Sequence, residues 1–209
     1  MSKKHKCVKE KQEKAKLEQA EIKENLQGQE APKIDTKLLK VKAVFDGENV
    51  YSNKSEAVTL YNQSRLGEFK SGKVIYSMFE ALYLLEKEKM EVALGKKKLK
   101  FEQLMQEARQ KDKSARTKYL VFRDMRNRGF IVKTALKFGA DFRVYDRGVK
   151  PGEDHARWIL YPVFETSSLT WHDFSAKNRV AHSTKKNLLI GIVDEEEDVT
   201  YYEIKWIKP

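Results

Sequence analysis

A chain of 209 residues, 40% hydrophobic and 35% charged, can form one large domain or two small ones, each with a buried core. Its formal net charge of +11 divides as +3 over residues 1–34, +4 over 35–115 and +4 over 116–209, so the basic excess is spread along the chain and favours a polyanionic partner such as nucleic acid. A sole cysteine, Cys7, excludes an intrachain disulfide framework or cysteine zinc site. No apolar run reaches the roughly 20 residues of a membrane span, and the lysine-rich start lacks a signal peptide's apolar stretch; a soluble, cytoplasmic protein without membrane contact is expected.

Residues 1–34 are rich in Lys, Glu and Gln and are expected to form a flexible or helical basic extension, closed by the linker "GQEAPK". Residues 35–115 are expected to be a small α/β domain. Its opening "LLKVKAVFDGENVYSN" alternates about Asp46-Gly47 as a hairpin does. In "SEAVTLYNQSRLGEF", Ser55 is the expected helix cap, with Ala57, Leu60 and Tyr61 at helical spacing. "YSMFEALYLLEKEKMEVAL" predicts one long helix with Met78, Phe79, Leu82 and Leu85 on its apolar face. A short helix, "FEQLMQEARQ", follows "GKKKLK".

Past the polar seam "KDKSART", residues 116–209 are expected to fold as a mixed sheet with flanking helices. "YLVFRDMRNRG" is an amphipathic helix with Tyr119, Phe122 and Met125 inward and Gly129 at its C-terminus. "FIVKTALKFGADFRVYD" predicts two strands about a glycine break, and "RWILYPVFE" a third, with Pro162 marking an edge or bulge. "SLTWHDFSAKNRVAHS" predicts a helix from near Ser168 with Leu169 and Phe174 partly buried. "NLLIGIVDEEEDVTYYEIKWIKP" is a hairpin about Asp194–Asp198.

The chain has four histidines. His5 lies in the extension, and His172 and His182 fit packed or surface positions. His155 closes a Gly/Pro loop, and loops on a sheet are where functional groups concentrate. If the partner is RNA, cleavage without a metal needs a base for the 2′-hydroxyl, an acid for the departing 5′-oxygen and a fixed cation at the phosphorane. Histidine titrates near neutrality; tyrosine, near pH 10, needs nearby cations to serve as base, which Arg143, Arg147 and a catalytic lysine could supply to Tyr145. Lys185-Lys186 precedes the last hairpin, where a lysine pair also commonly guards a sheet edge. Each residue alone has an ordinary structural explanation.

Together, "FRDMRNRGFIVKTALKFGADFRVYDRG", "PGEDHARW" and "NRVAHSTKKNLLIGIVDEEEDVTYYEIKW", in that order over about Tyr119–Trp206, resemble the archaeal tRNA-splicing endonuclease family. The resemblance implies an α/β chain whose C-terminal part is a mixed-sheet, restriction-endonuclease-like catalytic domain. It implies Tyr145 as general base, His155 as general acid and Lys186 as the transition-state cation, with Lys185 the competing lysine. The reaction implied is metal-free and cofactor-free transesterification of precursor tRNA at bulge–helix–bulge junctions, leaving a 2′,3′-cyclic phosphate and a 5′-hydroxyl. It further implies Arg179 as a base-stacking group and the acidic turn Asp194, Glu195, Glu196, Glu197 and Asp198 as a contact to a neighbouring subunit. Two bulges imply two active sites, hence a homotetramer or a heterotetramer with a structural subunit. Two other readings remain at this level. Glu203 and Lys205, with Asp194 or Asp198, match the acidic–x–Lys pattern of metal-dependent nucleases, and the chain could be a non-catalytic RNA-binding subunit.

Overall fold

The alternation of Val41–Phe45 (β1) turns Val41, Ala43 and Phe45 inward. This strand anchors a sheet in the computed structural model, which describes residues 40–135, 139–149 and 155–207. The hairpin to Val50–Ser52 (β2) forms as its sequence predicts. The Asp46 carboxylate accepts the Glu48 and Asn49 amides at 2.9 and 2.7 Å, and Gly47 takes φ +96°, a region that strains other side chains. Those amide bonds hold the exposed Asp46 carboxyl below its ordinary range. Ser55–Ser64 (α1) buries Ala57 and Leu60. Ser55 is not its cap: Lys54 occupies that position with no capping side chain, and Ser55, already inside the helix, bonds Glu56.

Glu68–Lys70 (β3) and Lys73–Tyr76 (β4) lead into Met78–Glu86 (α2). The long helix expected here stops at Glu86. Ser77 and Glu80 form a capping box at its start, and Glu88, in the left-handed region at φ 56°, turns the chain out. Met90–Leu94 (β5) then pairs in parallel with β1, from Val41 opposite Met90 to Val44 opposite Ala93. "GKKKLK" supplies a turn and the edge strand Lys97–Leu99 (β6) before Phe101–Lys111 (α3). The sheet order is β3-β4-β2-β1-β5-β6.

Ala115–Asn127 (α4) buries the expected Tyr119, Phe122 and Met125, and also Leu120 and Val121. It closes with the Gly129 amide donating to Arg126 and the Phe130 amide to Met125, the paired bonds of a glycine-terminated helix. Ile131–Thr134 (β7), Phe142–Tyr145 (β8), Trp158–Phe164 (β9), Trp171–Ser183 (α5), Asn187–Val193 (β10) and Val199–Ile204 (β11) follow. The second sheet runs β11-β10-β9-β8-β7, with β9 and β10 parallel and the other neighbours antiparallel. Pro162 therefore sits in a central strand, not at an edge. Pairing with β8 ends at Leu160, so that flank of Pro162 has no ladder to break. Leu169 is exposed, outside the helix, which begins behind a Thr170 cap.

One buried cluster runs from Val41 and Phe45 through Tyr119, Phe122 and Phe142 to Leu189 and Val193, so the two expected modules share a core within one compact unit, Leu38–Pro209. Phe79 of α2, itself partly buried, meets Phe142 of β8 edge-on at 5.3 Å, and full burial of the Phe142 ring is worth about 1.5–3 kcal/mol. The other face of the second sheet packs Ile159, Tyr161, Leu188 and Ile190 around Ala181 of α5. No helix among the described residues is long and apolar enough to cross a membrane. The basic extension 1–34 and its linker lie outside the described residues.

Candidate active site

Tyr145 ends β8 and Lys186 immediately precedes β10, and the chain between His155 and Trp158 runs between them. The Arg157 amide donates to the Val144 carbonyl at 2.9 Å, and the Asn187 amide donates to the Arg157 carbonyl at 3.1 Å. Three neighbouring strands, β8, β9 and β10, therefore meet at one end of the sheet, and Tyr145, His155 and Lys186 all lie at that end. Tyr145 is 5% exposed and packs against Ile131, Ala156 and Val149, while His155 is exposed. Residues 150–154, most of the Gly/Pro loop expected to carry His155, lie outside the described residues.

The two lysines differ by local geometry. Helix α5 ends with the Lys185 amide on the His182 carbonyl and the Lys186 amide on Ala181, with Lys185 left-handed at φ 55°. This termination is usually made by glycine; it points Lys185 into solvent and delivers Lys186 to the strand start. Lys186 is half-buried, and its Nζ donates to the Thr184 carbonyl at 2.8 Å. Burial, followed by the nearby Arg143 guanidinium, holds its pKa below the ordinary lysine value. Arg143, on β8, lies with its guanidinium carbon 5.9 Å from the Tyr145 ring centroid. Arg147 goes elsewhere: its guanidinium covers Phe130 at 5.0 Å, drawn by the ring face. Of the two arginines expected near Tyr145, only Arg143 stacks on it.

The other expected site residues are apart from this cluster or otherwise engaged. Arg179 is exposed on α5 and makes no ion pair among the described residues. In the acidic turn, Asp194 accepts the Asp198 amide, and Glu197, at φ 66°, receives a two-pronged bond from Arg116 of α4 at 2.6 and 2.9 Å. Glu195, Glu196 and Asp198 are exposed. Glu203 accepts Trp158 Nε1 at 3.1 Å and Asn187 Nδ2 at 2.6 Å, with Lys205 at 3.8 Å. It thereby tethers β11 to its sheet; among the described residues no group of three or more His, Cys, Asp or Glu comes together. A feature absent from the sequence reading is a stack of His182 on Trp206, ring centroids 4.6 Å apart, beside a cavity of about 340 Å³ that Lys186 also borders. Only the fold brings the end of α5 to the residues beyond β11, so spacing alone held no signal for it.

The family described as "tRNA intron endonuclease, catalytic C-terminal domain" matches residues 115–201, and that described as "tRNA intron endonuclease, N-terminal domain" matches residues 41–105. Among curated proteins, the "tRNA-splicing endonuclease" of Thermococcus kodakarensis is 45% identical over 165 residues, covering 78% of this chain and 96% of its own. Those of Pyrococcus abyssi and Methanothermobacter thermautotrophicus are 41% and 36% identical over the same length, with 78% of this chain covered and 95% and 96% of theirs.

Proposed function

The chain belongs to the tRNA intron endonuclease family, and from that membership we propose that it cuts precursor tRNA at bulge–helix–bulge junctions by metal-independent transesterification. The observation that supports this reading is the junction of β8, β9 and β10, where a phenol, an imidazole and a partly desolvated ammonium gather at one sheet end. Tyr145, acting as its phenolate beside the cationic Arg143 and Lys186, takes the proton of the 2′-hydroxyl, and the 2′-oxygen bonds to phosphorus. The phosphorane carries its extra charge against Lys186, whose burial strengthens the field it exerts. His155 protonates the 5′-oxygen as the P–O5′ bond breaks, leaving a 2′,3′-cyclic phosphate and a 5′-hydroxyl. Unstacked bulge nucleotides can be splayed into such a site where helical ones cannot. Arg179 is assigned a stacking role on a bulge base.

Residues 116–209 serve as the catalytic domain in this reading and residues 35–115 as its N-terminal companion. Two bulges call for two sites, and the exposed carboxylates of Glu195, Glu196 and Asp198 suit a basic surface on a second subunit in a tetramer. The test is cleavage of a bulge–helix–bulge RNA by the purified chain in EDTA, with analysis of the product ends. Tyr145→Phe, His155→Ala and Lys186→Ala are each expected to lower the single-turnover rate by about 10²–10⁴-fold. Cleavage that requires added magnesium, or variants that keep the wild-type rate, would overturn the mechanism.

A further inference from the structure

Arg143 stands in an unusual electrostatic position for a half-buried arginine. Its guanidinium lies over the Tyr145 ring, and its positive field reaches Lys186. The Nε atom is buried and has no hydrogen-bond partner among the described residues. The carboxylates nearest in sequence are committed elsewhere: Asp141 pairs with Lys118 at 2.6 Å, and Asp146 with Arg157 at 3.4 Å. Lys133, its cross-strand neighbour on β7, directs its amine to Glu80. A buried guanidinium nitrogen without an acceptor is costly, and a second cation beside Lys186 adds repulsion. An anion held by the guanidinium and the Lys186 ammonium together would offset their repulsion.

We propose that Arg143 is a further catalytic residue that binds the scissile phosphate of the RNA together with Lys186, forming a two-cation clamp held in place by stacking on Tyr145. This rests on the assignment of Tyr145 and Lys186 to the cleavage site. A guanidinium offers paired donors that match two phosphate oxygens, whereas Lys186 contributes a point charge. The pair would take up the charge that grows on those oxygens in the phosphorane, so its effect falls on the rate more than on RNA affinity.

The full chain and its Arg143→Gln and Arg143→Lys variants are compared in single-turnover cleavage of a bulge–helix–bulge RNA, with RNA affinity and melting temperature measured alongside. Arg143→Gln is expected to slow cleavage by about 10²–10³-fold, the loss typical of one oxyanion donor, while RNA affinity changes by less than about threefold. Arg143→Lys, which keeps the charge without the fork, should be slowed only about tenfold. Cleavage by Arg143→Gln within about twofold of wild type, or an Arg143→Lys variant no faster than Arg143→Gln, overturns the proposal. Should Arg143→Gln fail to fold, Arg143→Lys decides: a wild-type rate overturns the proposal, and a tenfold loss at unchanged affinity supports it. Tyr145→Phe and Lys186→Ala run beside these variants. If they too cleave normally, the site assignment fails; if they are slow and Arg143→Gln is not, only the role of Arg143 falls.

Discussion

Lys185 and Lys186 are chemically identical neighbours with opposite environments, and the difference can be measured. Lys185 holds a left-handed backbone that costs a β-carbon-bearing residue about 1–2 kcal/mol, part of which glycine would return as chain entropy. Lys185→Gly is therefore expected to raise stability by about 0.5–1 kcal/mol in urea denaturation with little effect on cleavage. Lys186 binds its proton more weakly in the folded chain than its ordinary value of 10.5. Between that lowered folded pKa and 10.5, the unfolded state holds more protons, so wild-type stability rises with pH through this window. Lys186→Met should accordingly be more stable than wild type at neutral pH, and the gain should shrink as pH approaches 10.5. A gain that stays constant across that range would remove desolvation of Lys186 as its cause. The family resemblance implies Lys186 over its neighbour, but only the helix termination shows how the two side chains are separated.

Strand β10 shows how one small residue sets the distance between elements. A β-carbon on Gly191 would lie 3.1 Å from Val121 Cγ1 and 3.2 Å from Tyr201 Cε1, so α4 and β11 crowd this position. Gly191→Val is expected to cost about 1–3 kcal/mol by overpacking, read as a lower urea midpoint; an unchanged midpoint would mean that α4 can shift without penalty. At this same scale local spacing misleads in "EKEKMEVAL". Met90, Val92 and Leu94 lie two apart, as in a strand, but they also continue the apolar face of the preceding helix. A short run supports either period. What decides is a parallel partner, β1, about 50 residues earlier in the chain. Pro162 was misplaced for a related reason, because a strand's rank within its sheet depends on neighbours that spacing does not reveal.

Across the whole molecule, a buried ion pair joins the two halves. Lys133 Nζ of β7 donates to Glu80 Oε1 at 2.8 Å and to the Gly67 carbonyl at 2.6 Å. Glu80 in turn accepts the Gly67 and Ser77 amides, both at 2.9 Å. Removing one member of a closed network leaves the others buried and short of partners, so Lys133→Met should lower unfolding free energy by about 3 kcal/mol. A loss below about 1 kcal/mol would show that the halves are held by apolar packing instead. By itself, the sequence determined the α/β class, the hairpins about Gly47 and Asp194–Asp198 and the inward face of α4. These follow from local rules, periodicity and turn chemistry, whereas the residues of the proposed site came only as what the family resemblance implies. Only the tertiary structure decided that β5 is a strand, that Arg147 turns to Phe130 while Arg143 covers Tyr145, and that Glu197 pairs with Arg116. Each of these depends on groups far apart in sequence, whose contacts exist only after burial of the shared core brings them together.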